Sequence, residues 1–248
     1  MRRCFDLLIG DFQRTLARPD GPECGQRLGR AAGNLVVFDE LLAADPAKVR
    51  QLVETTFAVR GTTGAGRTVA EEKMMDCLAA VARQCGSDLE AAGVKNLASL
   101  EAVGQVPPAA QPALETLRLL CGYALDCLAY LQPRDSNGGR RRSSAFEILA
   151  SAGRFVDQPE VLTLALKNLG KANSPQVYGV FRFLTDYFVS RDAEPDERVI
   201  DRLLALVKAT RSRSIACGAL NVLVETGVFD ELSALSYMDE WKEKILRW

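Results

Sequence analysis

The run Gly61-Thr-Thr-Gly-Ala-Gly66-Arg67-Thr68 holds the residue types that could cradle a phosphate. Its spacing fits Gly-x4-Gly-Lys-Thr, in which backbone N–H groups wrap phosphate oxygens and the hydroxyl meets magnesium. Arg67 stands where lysine belongs, and a planar guanidinium does not replace a compact ammonium charge. Residues 55–60 could form the strand before such a loop and 69–83 the helix after it. No later strand ends in the aspartate that would hold magnesium. The same residues also read as a Gly/Thr-rich turn between two helices, with Thr68 as N-cap and Glu71 closing a capping box. The turn needs nothing the chain lacks.

A second candidate is Arg140-Arg141-Arg142-Ser-Ser144. Its Arg-Arg-x-Ser spacing is the one basophilic kinases prefer, so Ser144 is a candidate phosphosite. The three arginines could also meet phosphate groups, of RNA for example. The plainer reading is a solvated basic linker with Ser144 as a helix cap. A phosphate at such a cap would be favoured by the helix dipole, so the readings are compatible.

Other chemistry is thin. The chain has no histidine, which removes Ser-His-Asp and Cys-His nucleophile pairs and the commonest metal ligand. Seven cysteines remain, at 4, 24, 77, 85, 121, 127 and 217, none in a Cys-x-x-Cys pair. Five sit in apolar helical runs, as buried thiols do. The acidic pairs Glu71-Glu72 and Asp230-Glu231 fall at expected helix starts, where they complement the dipole. The expectation is a protein that is not an enzyme, with no catalytic residue, cofactor, metal or small-molecule substrate.

Thirty-one basic and 32 acidic side chains leave a formal net charge of −1. That balance favours protein partners over RNA, which stays the weaker option. No run is long and apolar enough to span a membrane: 117–131 is short and broken by Arg118 and Asp126. An odd cysteine count without a secretory signal points to an intracellular, reducing compartment, the cytoplasm first. Arg2, Arg3, Arg14 and Arg18 raise the mitochondrial matrix as the second option. Asp6 and Asp11 argue instead for the first helix of a folded domain.

The elements that must carry any site are helices. Their starts are marked by Asp45-Pro46, Asp157 to Glu160, Ser174-Pro175 and Glu194-Pro195, and Ser144 to Glu147 has capping-box spacing. Alternating strand patterns are nearly absent. Helices are expected over 3–18, 24–43, 46–58, 68–85, 95–103, 109–131, 144–154, 158–171, 175–190, 195–209, 212–226 and 229–247. Residues 132–142 hold Pro133, Gly138, Gly139 and four arginines, the chain's one concentration of charge. They predict a flexible basic linker between an N-terminal helical half, 1–131, and a C-terminal helical-repeat half, 143–248.

Ala145-Phe-Glu-Ile-Leu-Ala-Ser-Ala-Gly-Arg-Phe155 is nearly copied by Ala219-Leu-Asn-Val-Leu-Val-Glu-Thr-Gly-Val-Phe229. The offset of 74 residues is two steps of 37. Self-similarity at such periods marks stacked helical repeats. Leu149, Leu184 and Leu223 lie 35 and 39 apart and suit equivalent buried sites in three units. Residues 199–227 run as an apolar helix, a polar turn and an Ala-Leu-x-x-Leu helix ending at Gly227. In that order they resemble an armadillo or HEAT repeat unit, the likeness extending over 144–230 and faintly over 24–131.

The resemblance implies an all-α fold, an armadillo/HEAT-like α-solenoid of stacked helix pairs. It also implies a binding surface rather than an active site. The asparagine array with which some armadillo proteins hold extended peptides is not evident, because Asn168 and Asn221 are the only helix asparagines in this half. Tyr178, Phe181, Phe183, Tyr187 and Phe188 crowd one helix. They could stack on bases, but their spacing fits a core. Trp241 and Trp248 sit on the last helix, where no further repeat covers them; they either cap the stack or contact a partner. The expected function is a non-enzymatic scaffold or adaptor that binds protein partners in a larger assembly. An organellar helical-repeat RNA-binding protein is the alternative, and nucleotide binding through 61–68 the third.

Overall fold

The computed structural model describes residues 2–17, 24–59, 65–96, 106–130, 138–156, 159–169 and 177–246. Among them every regular element is helical and none is a strand. The helices are α1 (Arg2–Ala17), α2 (Cys24–Asn34), α3 (Asp39–Ala43), α4 (Pro46–Val59), α5 (Ala65–Ala91) and α6 (Gln111–Tyr130). They continue as α7 (Gly138–Gly153), α8 (Pro159–Asn168), α9 (Val177–Val189), α10 (Glu197–Ala209), α11 (Arg213–Glu225) and α12 (Glu231–Leu246).

Local chemistry sets several boundaries. Pro46 opens α4, with the Asp45 carboxylate accepting from Lys48 N at 3.3 Å. Ser212 caps α11 by accepting from Ile215 N at 3.4 Å. Gly227, at φ +77°, follows α11 in the left-handed conformation that glycine adopts without strain. The cap of α10 is Asp196, which accepts from Val199 N at 3.0 Å, and not Glu194 as the Glu-Pro pair predicts. The helix expected over 24–43 is interrupted by a 3-10 turn at Leu35–Phe38. Of the helix expected over 95–103, Lys95 and Asn96 are described and are not helical, while 97–103 and the Ser174-Pro175 start lie outside the described residues.

One buried apolar cluster runs from Phe5 through Met74, Leu120, Phe146, Phe183 and Leu223 to Trp241. Apart from Asp76, every residue of α5 from Met74 through Ala82 is buried, as in a helix with neighbours on most sides. It packs against α2, α3, α4, α6 and α7. Next in line, α7 packs on α9, α9 on α11, and α11 on α10 and α12. Leu149, Leu184 and Leu223 are all buried. The near-copies share their pattern too: Ala145 and Ala219, Ile148 and Val222, and Leu149 and Leu223 are buried, while Glu147 and Asn221 reach solvent.

The flexible linker expected over 132–142 needs correction over its last five residues. Residues 138–142 are the first turn of α7, and Arg141 and Arg142 are buried. The physical reason lies far away in sequence: Arg141 is ion-paired with Glu71 on α5. Residues 131–137 lie outside the described residues. The buried cluster crosses the boundary between the expected halves without a break.

Candidate interaction surface

Cross-helix pairs fix how α5 and α7 meet. Arg141 Nη1 pairs with Glu71 Oε2. Ser144 Oγ donates to Asp76 Oδ1 at 2.9 Å, and Arg83 Nη1 donates to Glu147 Oε2 at 2.7 Å. Arg154 Nη1 pairs with Glu90 Oε1. Residue numbers rise together along both helices, so α5 and α7 run side by side in the same direction.

The next junctions are closer still. A Cβ on Gly179 of α9 would stand 2.4 Å from the carbonyl oxygen of Ser143 on α7. A Cβ on Gly218 of α11 would stand 2.7 Å from the ring of Phe181 on α9. These two glycines let successive helices touch backbone to backbone and backbone to ring. Phe146 and Phe183 fill the α7–α9 junction with ring centroids 6.2 Å apart.

A partly exposed polar strip follows from this row. It starts with the Arg83–Glu147 and Glu90–Arg154 pairs and continues to Arg182 and Asp186 on α9, whose Nε and Oδ2 are 3.7 Å apart. Burial raises the Asp186 carboxyl above its ordinary range, against the pull of Arg182 and Arg154. Tyr178, one helical turn before Arg182 on α9, is exposed as well, and so is Asn221 on α11. Positive and negative groups alternate across it, so it offers geometry and hydrogen bonds rather than a field of one sign.

The residues singled out from sequence are dispersed. Arg140 is exposed. Arg141, Arg142 and Ser144 are buried, with the Ser144 hydroxyl held between Asp76 and the Arg140 carbonyl. This corrects the expected phosphosite and phosphate contact: a kinase cannot reach Ser144 in the folded chain, and two of the three arginines face inward. Ser144 is also not a cap, because α7 begins six residues earlier, and Glu147 pairs with Arg83 instead of closing a box. Gly61 to Gly64 lie outside the described residues. Gly66, Arg67 and Thr68 are inside α5, which begins at Ala65, so Thr68 does not cap this helix. Glu71 serves Arg141 and not a capping box.

Trp241 is buried, and its indole Nε1 donates to the carbonyl of Thr210 at 2.9 Å. It seals the end of the core, which corrects its reading as a partner contact. Trp248 lies outside the described residues. Phe181, Phe183 and Phe188 are core residues, Tyr187 is partly buried, and Tyr178 is exposed. Cys77, Cys85, Cys121 and Cys127 are buried thiols, while Cys4 and Cys217 are exposed. Burial pushes the Cys77 thiol up to about 12 and the Cys85 thiol up as well, so neither is a thiolate at neutral pH.

Sequence reasoning passed over Gly179 and Gly218. Their signal was available, as glycines inside otherwise apolar helical stripes. Among the described residues no group of three or more acidic or cysteine side chains could hold a metal ion, and no helix is long and apolar enough to cross a membrane. No protein-family model, curated protein or solved structure matches the chain.

Proposed function

We propose that the chain is a non-enzymatic helical-repeat scaffold or adaptor whose stacked helix pairs, armadillo/HEAT-like in kind, hold protein partners. The observation that carries this reading is the row α5, α7, α9 and α11, in which neighbours touch along the row and present a mixed-charge strip. The glycines at 179 and 218, 39 residues apart, occupy corresponding junctions. A row locked by core packing can present a partner with preformed geometry, which lowers the ordering cost of binding. The alternative of RNA binding loses support, because Arg141 and Arg142 spend their charge inside the protein. Nucleotide binding has no described site to rest on.

The test is affinity capture from a native extract by the purified chain, with and without RNase. The comparison is between the wild-type chain, the strip variant Arg83→Ala/Arg182→Ala and a control variant, Glu54→Ala, at an exposed residue of α4. The reading expects a defined protein set that survives RNase, is lost with the strip variant at unchanged melting temperature, and is kept by the control. Loss of all partners on RNase treatment would transfer the case to RNA. Equal capture by all three proteins would remove the strip from the account.

A further inference from the structure

Helix α12 has two apolar faces, and the fold uses one. Trp241 is buried, and Ala234, Tyr237, Met238 and Ile245 pack partly buried against the core. Phe229 stacks on Tyr237 with centroids 5.2 Å apart. On the other face Leu232, Leu235 and Leu246 are 76, 59 and 85% exposed, three of the most exposed large hydrophobic side chains among the described residues.

The outward face is ordered. Leu232, Leu235, Asp239, Lys242 and Leu246 are spaced three, four, three and four apart. That is the spacing of a coiled-coil seam, in which two helices interlock along a shared stripe. The polar pair at its centre, Asp239 and Lys242, is joined within the chain, Lys242 Nζ donating to Asp239 Oδ1 at 2.9 Å. Both side chains are more than half exposed.

We propose that this face pairs with the same face of a second copy of the chain, α12 against α12 in antiparallel orientation. A two-fold interface must be self-complementary, each residue meeting on the partner the residue that meets it. Antiparallel pairing achieves this in four layers. Leu235 meets Leu246 of the second copy at each end, and Asp239 meets Lys242 of the second copy in the two central layers. Ser236 and Glu243 flank the seam, so a hydroxyl and not a like charge lies beside each Glu243 carboxylate. Parallel pairing would set Asp239 against Asp239 and Lys242 against Lys242, and like-charge contacts of that kind cost several kcal/mol. Charge thus selects the antiparallel arrangement, and the paired polar layers fix its register.

A seam from Leu235 to Leu246 is about 18 Å long at about 1.5 Å per residue. It covers less than the roughly 1,600 Å² of a standard stable interface. The dimer is therefore a weak, concentration-dependent one, in the micromolar range or above. This proposal does not depend on the polar strip across α5, α7 and α9.

Sedimentation equilibrium of the full chain, from micromolar to millimolar loading, tests it. The expected result is a monomer–dimer equilibrium that Leu235→Glu/Leu246→Glu abolishes without change in helicity or melting temperature. Asp239→Lys or Lys242→Asp alone should weaken the dimer by roughly tenfold or more, since each places two like-charge contacts in the seam. The swapped variant Asp239→Lys/Lys242→Asp should restore it. A chain that stays monomeric throughout overturns the proposal, and so does one whose outer leucines prove to hold a different protein. A dimer indifferent to Leu235→Glu/Leu246→Glu lies elsewhere on the surface. Single reversals without effect, or a swap that does not rescue, would overturn the antiparallel register.

Discussion

Replacing Gly179 by alanine tests the α7–α9 junction at its tightest point. The added methyl would sit 2.4 Å from the Ser143 carbonyl oxygen and 2.9 Å from its Cα. Both atoms are backbone, so no rotamer change relieves the clash. Contact is comfortable only beyond about 3.4 Å, so α7 and α9 must part by roughly an ångström along a core that is packed like a crystal. Overpacking of this kind costs about 1–3 kcal/mol, against a gain of about 0.5–1 kcal/mol from replacing a helix-interior glycine. Gly122 on α6 supplies the control, because its added methyl meets nothing within 4 Å. Gly122→Ala should stabilise by about 0.5–1 kcal/mol, while Gly179→Ala should destabilise by about 1–2 kcal/mol. Urea unfolding followed by far-ultraviolet circular dichroism resolves that difference. In a chain of this size each kcal/mol also moves the melting temperature by about 2–4 °C. If Gly179→Ala proves as stable as Gly122→Ala, the two helices do not meet as described, and the continuous row that supports the proposed function falls with them.

Three further outcomes follow from the buried groups. Arg141→Met should cost about 3–5 kcal/mol by breaking the buried ion pair with Glu71, whereas Glu71→Leu/Arg141→Met should recover most of that loss, a coupling that a double-mutant cycle measures directly. Trp241→Ala should lower stability by about 3–5 kcal/mol, because it empties the end of the core and removes the indole donor to the Thr210 carbonyl; an unchanged melting temperature would mean the ring is not inside. Asp186 binds its proton more tightly in the folded chain than in the unfolded one, so it contributes stability below the ordinary aspartate range that is lost as pH rises through its raised folded value. Asp186→Asn should flatten that part of the stability–pH curve, and an identical slope in both proteins would refute the assignment.

The helices were legible because their signals are local. Pro46 after Asp45, Ser212 before an apolar run and Gly227 after one each act within a single turn, and the structure places helix ends beside them. The likeness of the two segments has a physical basis, because Ala145, Ile148 and Leu149 are buried as Ala219, Val222 and Leu223 are, and burial constrains residue type. The buried pair was not, since Glu71 and Arg141 are 70 residues apart. Nothing near either residue announces the other. Gly138, Gly139 and three consecutive arginines read as a solvated linker by composition. Their environment is set by a helix that composition does not see.

The last helix shows where sequence reading stops for a physical reason. Two apolar stripes wind around α12, one through Ala234, Tyr237, Trp241 and Ile245 and one through Leu232, Leu235 and Leu246. Periodicity finds both and ranks neither, because a hydrophobic stripe records that a face is covered and not by what. The deciding interaction is a single hydrogen bond. Trp241 carries a donor that must be satisfied when buried, and the carbonyl of Thr210, at the end of α10, accepts it. With the indole anchored there, the leucine stripe is turned outward, and the Asp239–Lys242 pair turns with it. Tryptophan suggested a partner contact because of its frequency at interfaces, yet its polar edge fixes it to its own chain. The residues left to meet another molecule are the plainer leucines, whose exposure and spacing make the outer face of α12 a seam.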